Sequence, residues 1–171
     1  NDSRVNDFKL KWNITDVLGY DLKQNRAVFY IKVDNVIVDA VGRSLDSRLP
    51  KWLRYGSSNL PYLSGCGTIA VVVEDCISAN TVSNIDKNFT GIALLGTSMT
   101  EETKSIVNSF NEIIVALDPD ATVKTLHIAA RLRQGSNLVQ AMKLSDDIKY
   151  RVEEDLFKFK NVLKGNTKWV M

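Results

Sequence analysis

The sequence has 171 residues, of which 44% are hydrophobic and 25% are charged, and its formal net charge is +2. This length allows one domain with a buried core, and two cysteines are too few for a disulfide framework or a four-cysteine zinc site. No apolar run approaches the ~20 residues that a membrane-spanning helix needs, and no secretion leader is visible at the amino end. We therefore expect a cytoplasmic protein that has no membrane contact.

The first part of the chain, residues 1–63, predicts a small basic α+β subdomain. Residues 27–33 (AVFYIKV) and 36–45 (VIVDAVGRSL) have the composition of strands, and the Asp-Asn pair at 34–35 is typical of a tight turn between antiparallel strands. The segment 48–67 is rich in Gly, Ser and Pro, and we interpret it as a loop.

From residue 64 onward, short apolar runs alternate with segments of helical character. The predicted strands cover residues 69–73, 91–95, 112–117 and 138–144, and the predicted helices cover 75–85, a segment that starts at Ser98 or Thr100, and 121–133. This alternation favours parallel pairing through right-handed crossovers, with ligands bound beyond the carboxyl ends of the strands. The pattern predicts an α/β domain with a four-stranded parallel sheet over residues 64–147, followed by a helical tail over 148–171 whose helix covers 148–164.

Carboxylates follow two of the predicted strands. Glu74 closes the first strand, and Asp118 and Asp120 close the third strand on either side of Pro119. Since parallel strands end at one edge, these like charges are expected to meet there, which is unfavourable unless they share a proton or a cation. Carboxylate oxygens are ligands that Mg²⁺ takes, together with phosphate and water. The alternative for Asp120 is that it caps the helix that begins there.

Acidic and basic residues are sorted along the chain. Residues 64–120 contain eight acidic and two basic residues, whereas residues 121–145 contain four basic residues and no acidic residue. Another four bases and one acid lie between residues 43 and 54. This distribution suggests an anionic partner that is bound beside a cation site.

Four segments of the chain resemble, in matching order, the catalytic core of bacterial and phage DNA primases, which contains a Toprim domain. These segments are VDAVGRSLDSRLPKWLRYGSS (38–58), VVVEDCISA (71–79), GIALLGTSMTEE (91–102) and IIVALDPDATVKTLHIAARL (113–132). The first resembles the small basic subdomain that precedes Toprim, and the others resemble the Toprim strands and their acidic ends. The resemblance covers residues 27–147 and implies a Toprim-like parallel sheet flanked by helices.

The resemblance also implies the residues of an active site. It identifies Glu74, Asp118 and Asp120 as catalytic residues and as ligands of Mg²⁺ or Mn²⁺. Asp146 and Asp147 stand where primases carry a further acidic pair, and the alternative is that they cap the helical tail. Two ions would serve the reaction, one for the attacking 3′-hydroxyl and one for the leaving pyrophosphate.

Basic and aromatic residues are candidates for binding the nucleotide and the template. The resemblance places Arg43 and Lys51 at such positions, and Arg48, Arg54 and Lys124 are further candidates to bind phosphates. Trp52 and Tyr55 are interleaved with these bases and could stack on an unpaired template base. The alternatives are aromatic residues that pack in the core and, for Lys124, a helix face exposed to water.

The sequence therefore predicts a DNA primase core, a DNA-directed RNA polymerase that makes short RNA primers on single-stranded DNA from nucleoside triphosphates. We expect a phage protein that works in the bacterial cytoplasm, with a replicative helicase and a separate zinc-ribbon element as candidate partners. A Toprim nuclease, in which metal ions activate water, and a non-catalytic single-stranded nucleic-acid-binding module are the alternatives.

Overall fold

The computed structural model describes residues 2–96, 98–135 and 137–165. The first part of the chain forms a helix and an antiparallel sheet with the strand order β1-β2-β3-β4. These elements are α1 (Ser3–Trp12), β1 (Gly19–Asp21), β2 (Arg26–Val33), β3 (Val36–Ser44) and β4 (Trp52–Arg54). The predicted hairpin is confirmed, and Asp34 and Asn35 form its turn with positive φ angles, which Asp and Asn adopt more readily than most side chains.

The second part of the chain forms a five-stranded sheet with the order β5-β7-β6-β8-β9. Strand β5 is antiparallel to β7, and the other neighbouring pairs are parallel. The elements are β5 (Tyr62–Ser64), β6 (Ile69–Val73), α2 (Cys76–Ile85), β7 (Phe89–Ala93), α3 (Glu101–Asn108), β8 (Glu112–Val115), α4 (Thr122–Leu132), β9 (Leu138–Ala141) and α5 (Glu153–Leu163), with single 3₁₀ turns at Pro119–Ala121 and Ile148–Tyr150.

The α/β class and the four predicted parallel strands are confirmed, but the prediction of a loop over residues 48–67 is wrong in two places. The three-residue strands β4 and β5 lie in that segment, and each is too short to produce an alternating pattern. Strand β7 begins at Phe89, two residues earlier than predicted, because Phe89 and Thr90 already pair with β6.

The ends of the chain also differ from the prediction. Helix α1 was not predicted; Asp2 caps it by accepting a hydrogen bond from the Arg4 amide at 2.9 Å. The predicted helix 148–164 is split into a 3₁₀ turn and α5, since Arg151 between them has a φ of 55°. Residues 166–171, the end of the predicted tail, lie outside the described residues.

Strand β6 shows why the sheet is buried on both faces. Its residues alternate between two apolar clusters: Val71 and Val73 pack on the side of α2, and Ala70 and Val72 pack on the side of α3 and α4. All five residues of the strand are buried, which explains the uninterrupted apolar run in the sequence.

The two sheets share one of these apolar clusters. Phe29 of β2 makes an edge-to-face contact with Tyr62 of β5, with ring centroids 5.5 Å apart, and another edge-to-face contact with Phe8 of α1. Aromatic pairs of this kind stabilise a fold beyond the area that they bury.

The division of the chain at residues 63 and 147 stays a prediction. None of the helices within the described ranges is long and apolar enough to cross a membrane.

Candidate active site

The acidic residues meet at the carboxyl edge of the second sheet. Val72 of β6 lies opposite Val115 of β8, and the Ala116 amide donates a hydrogen bond to the Val72 carbonyl at 2.9 Å. Glu74 therefore leaves β6 next to the point where the chain leaves β8 toward Asp118. This is the convergence that the sequence predicted from parallel pairing.

A cleft of about 550 Å³ lies between this edge and the first sheet. We call it the acidic cleft. It is lined by Glu74, Asp75, Asp118, Asp147, Lys51, Arg54 and Lys149, together with Val41, Trp52, Leu95 and Gly96. The acids and Lys149 come from the part of the chain after residue 64, which forms most of the second sheet, whereas Lys51, Trp52 and Arg54 come from the part that forms the first sheet.

Two carboxylates in the acidic cleft, those of Glu74 and Asp118, lack full charge compensation. Burial, reinforced by the negative charges of Asp147 and Glu74, raises the pKa of Asp118 to about 7. Burial also raises the pKa of Glu74, and the charges of Asp120 and Asp75 add to the effect. A carboxylate that is destabilised by burial and by like charges gains most from a bound cation.

Asp118 begins the 3₁₀ turn Pro119–Ala121, but its side chain makes no capping hydrogen bond to that turn. Asp120 is exposed and does not line the cleft, and the cap position of α4 is Ala121 rather than Asp120. Lys124 lies beside the cleft, with its ammonium 3.9 Å from Glu74 Oε1 and 3.2 Å from the Gly96 carbonyl. Because Ala121 occupies the cap position of α4, the alternative that Asp120 caps this helix does not apply.

Asp75 and Lys149 form an ion pair in the acidic cleft, and Asp147 joins it. Asp75 Oδ1 caps α2 by accepting a hydrogen bond from the Ser78 amide at 2.8 Å. The Lys149 ammonium lies 3.1 Å from Asp75 Oδ2 and 3.0 Å from Asp147 Oδ2. Burial alone would lower the pKa of Lys149, but these two carboxylates outweigh it and raise the pKa above its usual value.

The basic wall of the cleft comes from β4 and the residue before it. Lys51 is exposed at the rim, and Trp52 packs against Phe29 with ring centroids 5.7 Å apart. The Arg43 guanidinium lies over the Trp52 ring, 5.3 Å from its centroid, and Arg43 lines a separate groove beside α1. Arg54 donates hydrogen bonds to Asp39 at 2.6 Å and to the Leu60 carbonyl at 2.8 Å, so its charge is compensated inside the fold.

Three further residues predicted for the site, in addition to Asp120 and Arg43, lie away from the acidic cleft. Asp146 is exposed, and its carboxylate accepts a hydrogen bond from the Asp147 amide. Arg48 donates to the Lys23 carbonyl on the surface, and Tyr55 donates to Asp21 at 2.6 Å on the far side of the first sheet. The structure thus brings Glu74, Asp118, Asp147, Lys51, Trp52 and Arg54 to one place. It sets Lys124 beside that place and leaves Asp120, Arg43 and these three residues outside it.

The backbone at the cleft is strained at one position. Leu95 has a φ of 60°, a left-handed conformation that costs a residue with a β-carbon roughly 1 kcal/mol. Its amide donates to the Glu74 carbonyl at 3.2 Å, which holds the end of β7 against the end of β6. Such outliers concentrate at functional sites.

Comparison with solved structures places this geometry in a known fold. The DnaG primase catalytic domain bound to ssDNA is similar with a TM-score of 0.65, 17% identity, and coverage of 94% of this chain and 58% of the other. The E. coli primase catalytic core is similar with a TM-score of 0.62 and 17% identity, and the match covers 97% of this chain and 60% of the other. The Aquifex aeolicus primase, with its zinc-binding and RNA polymerase domains, is similar with a TM-score of 0.64 and 18% identity, and the match covers 92% of this chain and 44% of the other.

The chain has the fold of a Toprim primase catalytic core. No family model matches the sequence, and no curated protein matches it. The chain spans between 44% and 60% of the length of these three primase structures. At 17–18% identity, the likeness establishes the fold of the chain, whereas its chemistry depends on the residues in the cleft.

The side-chain oxygens of the acidic cleft are suitable ligands for a hard divalent cation. Its acidic side chains offer only oxygen ligands, and those of Glu74 and Asp118 are half-buried and undercompensated. Among the described residues no group of three or more acidic, His or Cys side chains is arranged to hold a metal ion. One or two carboxylates are nevertheless what Mg²⁺ usually takes from a protein, with waters and substrate phosphates as its other ligands.

Lys149 and Asp39 were not predicted from the sequence. Lys149 follows the Asp146-Asp147 pair, in a segment whose charges suggested only a solvated helix, and its partner Asp75 stands 74 residues earlier. Asp39 lies inside a strand, in the middle of an apolar run. For Asp39, the one available signal was the presence of a charge in a run of the sequence that is otherwise apolar.

Proposed function

We propose that this chain is the catalytic core of a DNA primase that joins ribonucleotides into short primers on single-stranded DNA. The observation that carries the proposal is the acidic cleft itself. Half-buried Glu74 and Asp118 lie across from Lys51 and Trp52 in a space of about 550 Å³, which is large enough for a nucleotide. The primase-core fold supports the proposal because the cleft lies at the carboxyl ends of the parallel strands, where such sheets bind ligands.

Glu74 and Asp118 would hold Mg²⁺ or Mn²⁺ in this cleft, with Asp120 and Asp147 close enough to add to the negative field. When bound, the ion would acidify an attacking hydroxyl and neutralise charge on the triphosphate. The chain's own part is to orient these carboxylates. The hydrogen bond from the Leu95 amide to the Glu74 backbone carbonyl fixes the backbone that carries the first carboxylate, and the rigid Pro119 does the same next to Asp118.

The opposite wall would bind the substrates. Lys51 is an exposed point charge suited to phosphate, and Lys124 offers a second positive charge beside Glu74. Trp52 is half-buried and contacts Phe29 and the Arg43 guanidinium, so an unpaired base would meet the exposed part of an aromatic ring that is already fixed. We assign Arg54 to bracing this wall rather than to substrate, because Asp39 and the Leu60 carbonyl occupy its guanidinium.

The test is an incubation of the full chain with single-stranded DNA, labelled ribonucleotides and Mg²⁺ or Mn²⁺. We expect labelled RNA of a few nucleotides that depends on the metal. Asp118→Asn should reduce this product by about 100-fold, because the variant keeps the volume of the side chain and loses its charge. Asp34→Asn, in the exposed turn between β2 and β3, is the control and should retain the product.

Other products would decide against the proposal. Shortened DNA without new RNA would indicate the alternative Toprim nuclease, and retention of the DNA with no product would indicate a binding module. Normal synthesis by Asp118→Asn would remove the metal-binding role from this residue. The expected phage origin, the cytoplasmic location, and partnership with a helicase and a zinc ribbon stay predictions.

A further inference from the structure

Lys149 is the least exposed of the cationic side chains that line the acidic cleft among the described residues. Its side chain is 11% exposed, and its ammonium makes ion pairs with Asp75 at 3.1 Å and with Asp147 at 3.0 Å. The 3₁₀ turn Ile148–Tyr150 that carries it packs against α2, and Ile148 is buried in the shared apolar cluster. A lysine held in this way is a fixed part of the site rather than a mobile surface charge.

The carboxylates of the cleft therefore fall into two groups. Asp75 is fully engaged, since one oxygen caps α2 at Ser78 and the other contacts Lys149. Asp147 also contacts Lys149 through Oδ2. In contrast, the ion pair of Glu74 with Lys124 is a loose 3.9 Å contact, and Asp118 makes no capping hydrogen bond to its own turn.

A divalent cation bound at Asp147 would lie against the Lys149 ammonium, and the two positive charges would repel each other. The same ion placed between Glu74 and Asp118 would lie next to carboxylates that no cationic group of the described residues approaches closer than the 3.9 Å of Lys124 from Glu74, and it would remove their mutual repulsion. Lys149 thus separates the acidic cleft into a part that is already neutralised and a part that is open to a metal.

We propose that the positive charge of Lys149 limits the acidic cleft to one divalent ion per chain in the absence of nucleotide. Glu74 and Asp118 would hold that ion. This inference rests on the metal-dependent function proposed above and deepens it. Lys149 acts as a positioning residue, because it sets which carboxylates are available and does not itself touch the metal. A second ion would then enter only with the phosphates of a substrate.

Titration of the full chain with Mn²⁺ alone, followed by calorimetry and by the electron paramagnetic resonance of unbound Mn²⁺, tests this proposal. We expect one bound ion per wild-type chain. Lys149→Met keeps an unbranched side chain of similar length but removes the charge, so it should bind two ions. Lys149→Arg keeps the charge and should bind one ion. Lys158→Met, which removes a lysine paired with Asp155 outside the cleft, is the matched control and should also bind one ion.

A second comparison does not depend on the stability of the Lys149→Met variant. With Lys149 in place, Asp147→Asn should change the Mn²⁺ affinity by less than about threefold, whereas Asp118→Asn should weaken it by about tenfold or more. In the first titration, by contrast, the double variant Lys149→Met with Asp147→Asn should return from the two ions of Lys149→Met to one.

Each contrary result has a distinct meaning. Two ions on the wild-type chain, one unchanged ion on a folded Lys149→Met variant, or a tenfold loss of affinity in Asp147→Asn would overturn the role of Lys149 while leaving the metal-dependent function intact. No binding of Mn²⁺ to the wild-type chain would overturn both this inference and the metal site on which the proposed function depends.

Discussion

At the scale of single residues, the buried Asp39 and the half-buried Asp118 show how the surroundings decide what a carboxylate does. Asp39 accepts hydrogen bonds from the amides of Ala40, Gly56 and Ser58, from the Ser58 hydroxyl and from Arg54. Burial alone would raise the pKa of Asp39, but these donors outweigh it and hold the pKa well below its usual range. Asp118 has no such set of donors, and its pKa rises to about 7. The first carboxylate stabilises the fold, and the second is available for a ligand.

Replacement of Asp39 by Asn should destabilise the protein by about 3 kcal/mol at pH 7, since the amide cannot compensate Arg54 and must present N–H groups to other donors. The pKa of Asp39 is lower in the folded than in the unfolded chain. Its contribution to stability is therefore present above about pH 4 and is lost as the pH falls further. Urea unfolding at pH 7, 5, 4 and 3 measures the difference between the two proteins, which should shrink below pH 4.

Asp34→Asn is the control for that comparison, because Asp34 is exposed and Asn also tolerates its positive φ. Its free energy of unfolding should stay within about 0.5 kcal/mol of the wild-type value. A difference between Asp39→Asn and wild type that stays constant from pH 7 to pH 3 would contradict the role given to the charge of Asp39.

At the scale of elements, the close approach of α2 to β7 fixes the edge of the sheet that carries the acids. A β-carbon on Gly91 of β7 would lie 2.2 Å from the Ala79 carbonyl oxygen and 2.6 Å from the Ala79 α-carbon. These are backbone atoms of α2, so no side chain can move aside. The first turn of the same helix holds Asp75 and, through it, Lys149.

Gly91→Ala should therefore destabilise the protein by about 3 kcal/mol, because helix and strand must separate to admit the methyl group. Thermal unfolding followed by circular dichroism measures the effect. Gly96→Ala is the matched control: a β-carbon there meets no atom of the described residues within 4 Å, and Gly96 is exposed. Equal melting temperatures for the two variants would show that the separation of α2 and β7 can adjust freely.

At the scale of the whole molecule, the two sheets supply opposite charges to one cleft. The second sheet provides Glu74 and Asp118 at its carboxyl edge, and the first provides Lys51 and Trp52 on the facing wall. The shared apolar cluster around Phe29 and Tyr62 holds the walls together, so neither sheet carries a complete site. A nucleic acid bound here would place its phosphates on the basic wall and away from the acids unless a cation intervenes.

Lys51→Ala should weaken binding of single-stranded DNA and lower the salt dependence of that binding. Each phosphate neutralised by a basic side chain adds about 0.7 to the slope of log affinity against log salt concentration for single strands. Fluorescence anisotropy at several salt concentrations measures the slope. Lys87→Ala is the control, because exposed Lys87 precedes β7 at the opposite edge of the sheet. If Lys51→Ala keeps the wild-type slope while Lys87→Ala lowers it, the DNA lies on another surface.

The sequence by itself determined the parallel sheet and the meeting of Glu74 with Asp118. Strands such as β6 are apolar on both faces, and a run of that kind can be read locally. It did not reveal β4 and β5, because three-residue strands carry no pattern, or the groups that compensate each charge. Those depend on contacts between distant positions, as when Lys149 reaches Asp75 and when Arg54 turns to Asp39. Local periodicity therefore places the acids at one edge, and only tertiary packing decides which of them remain without a partner.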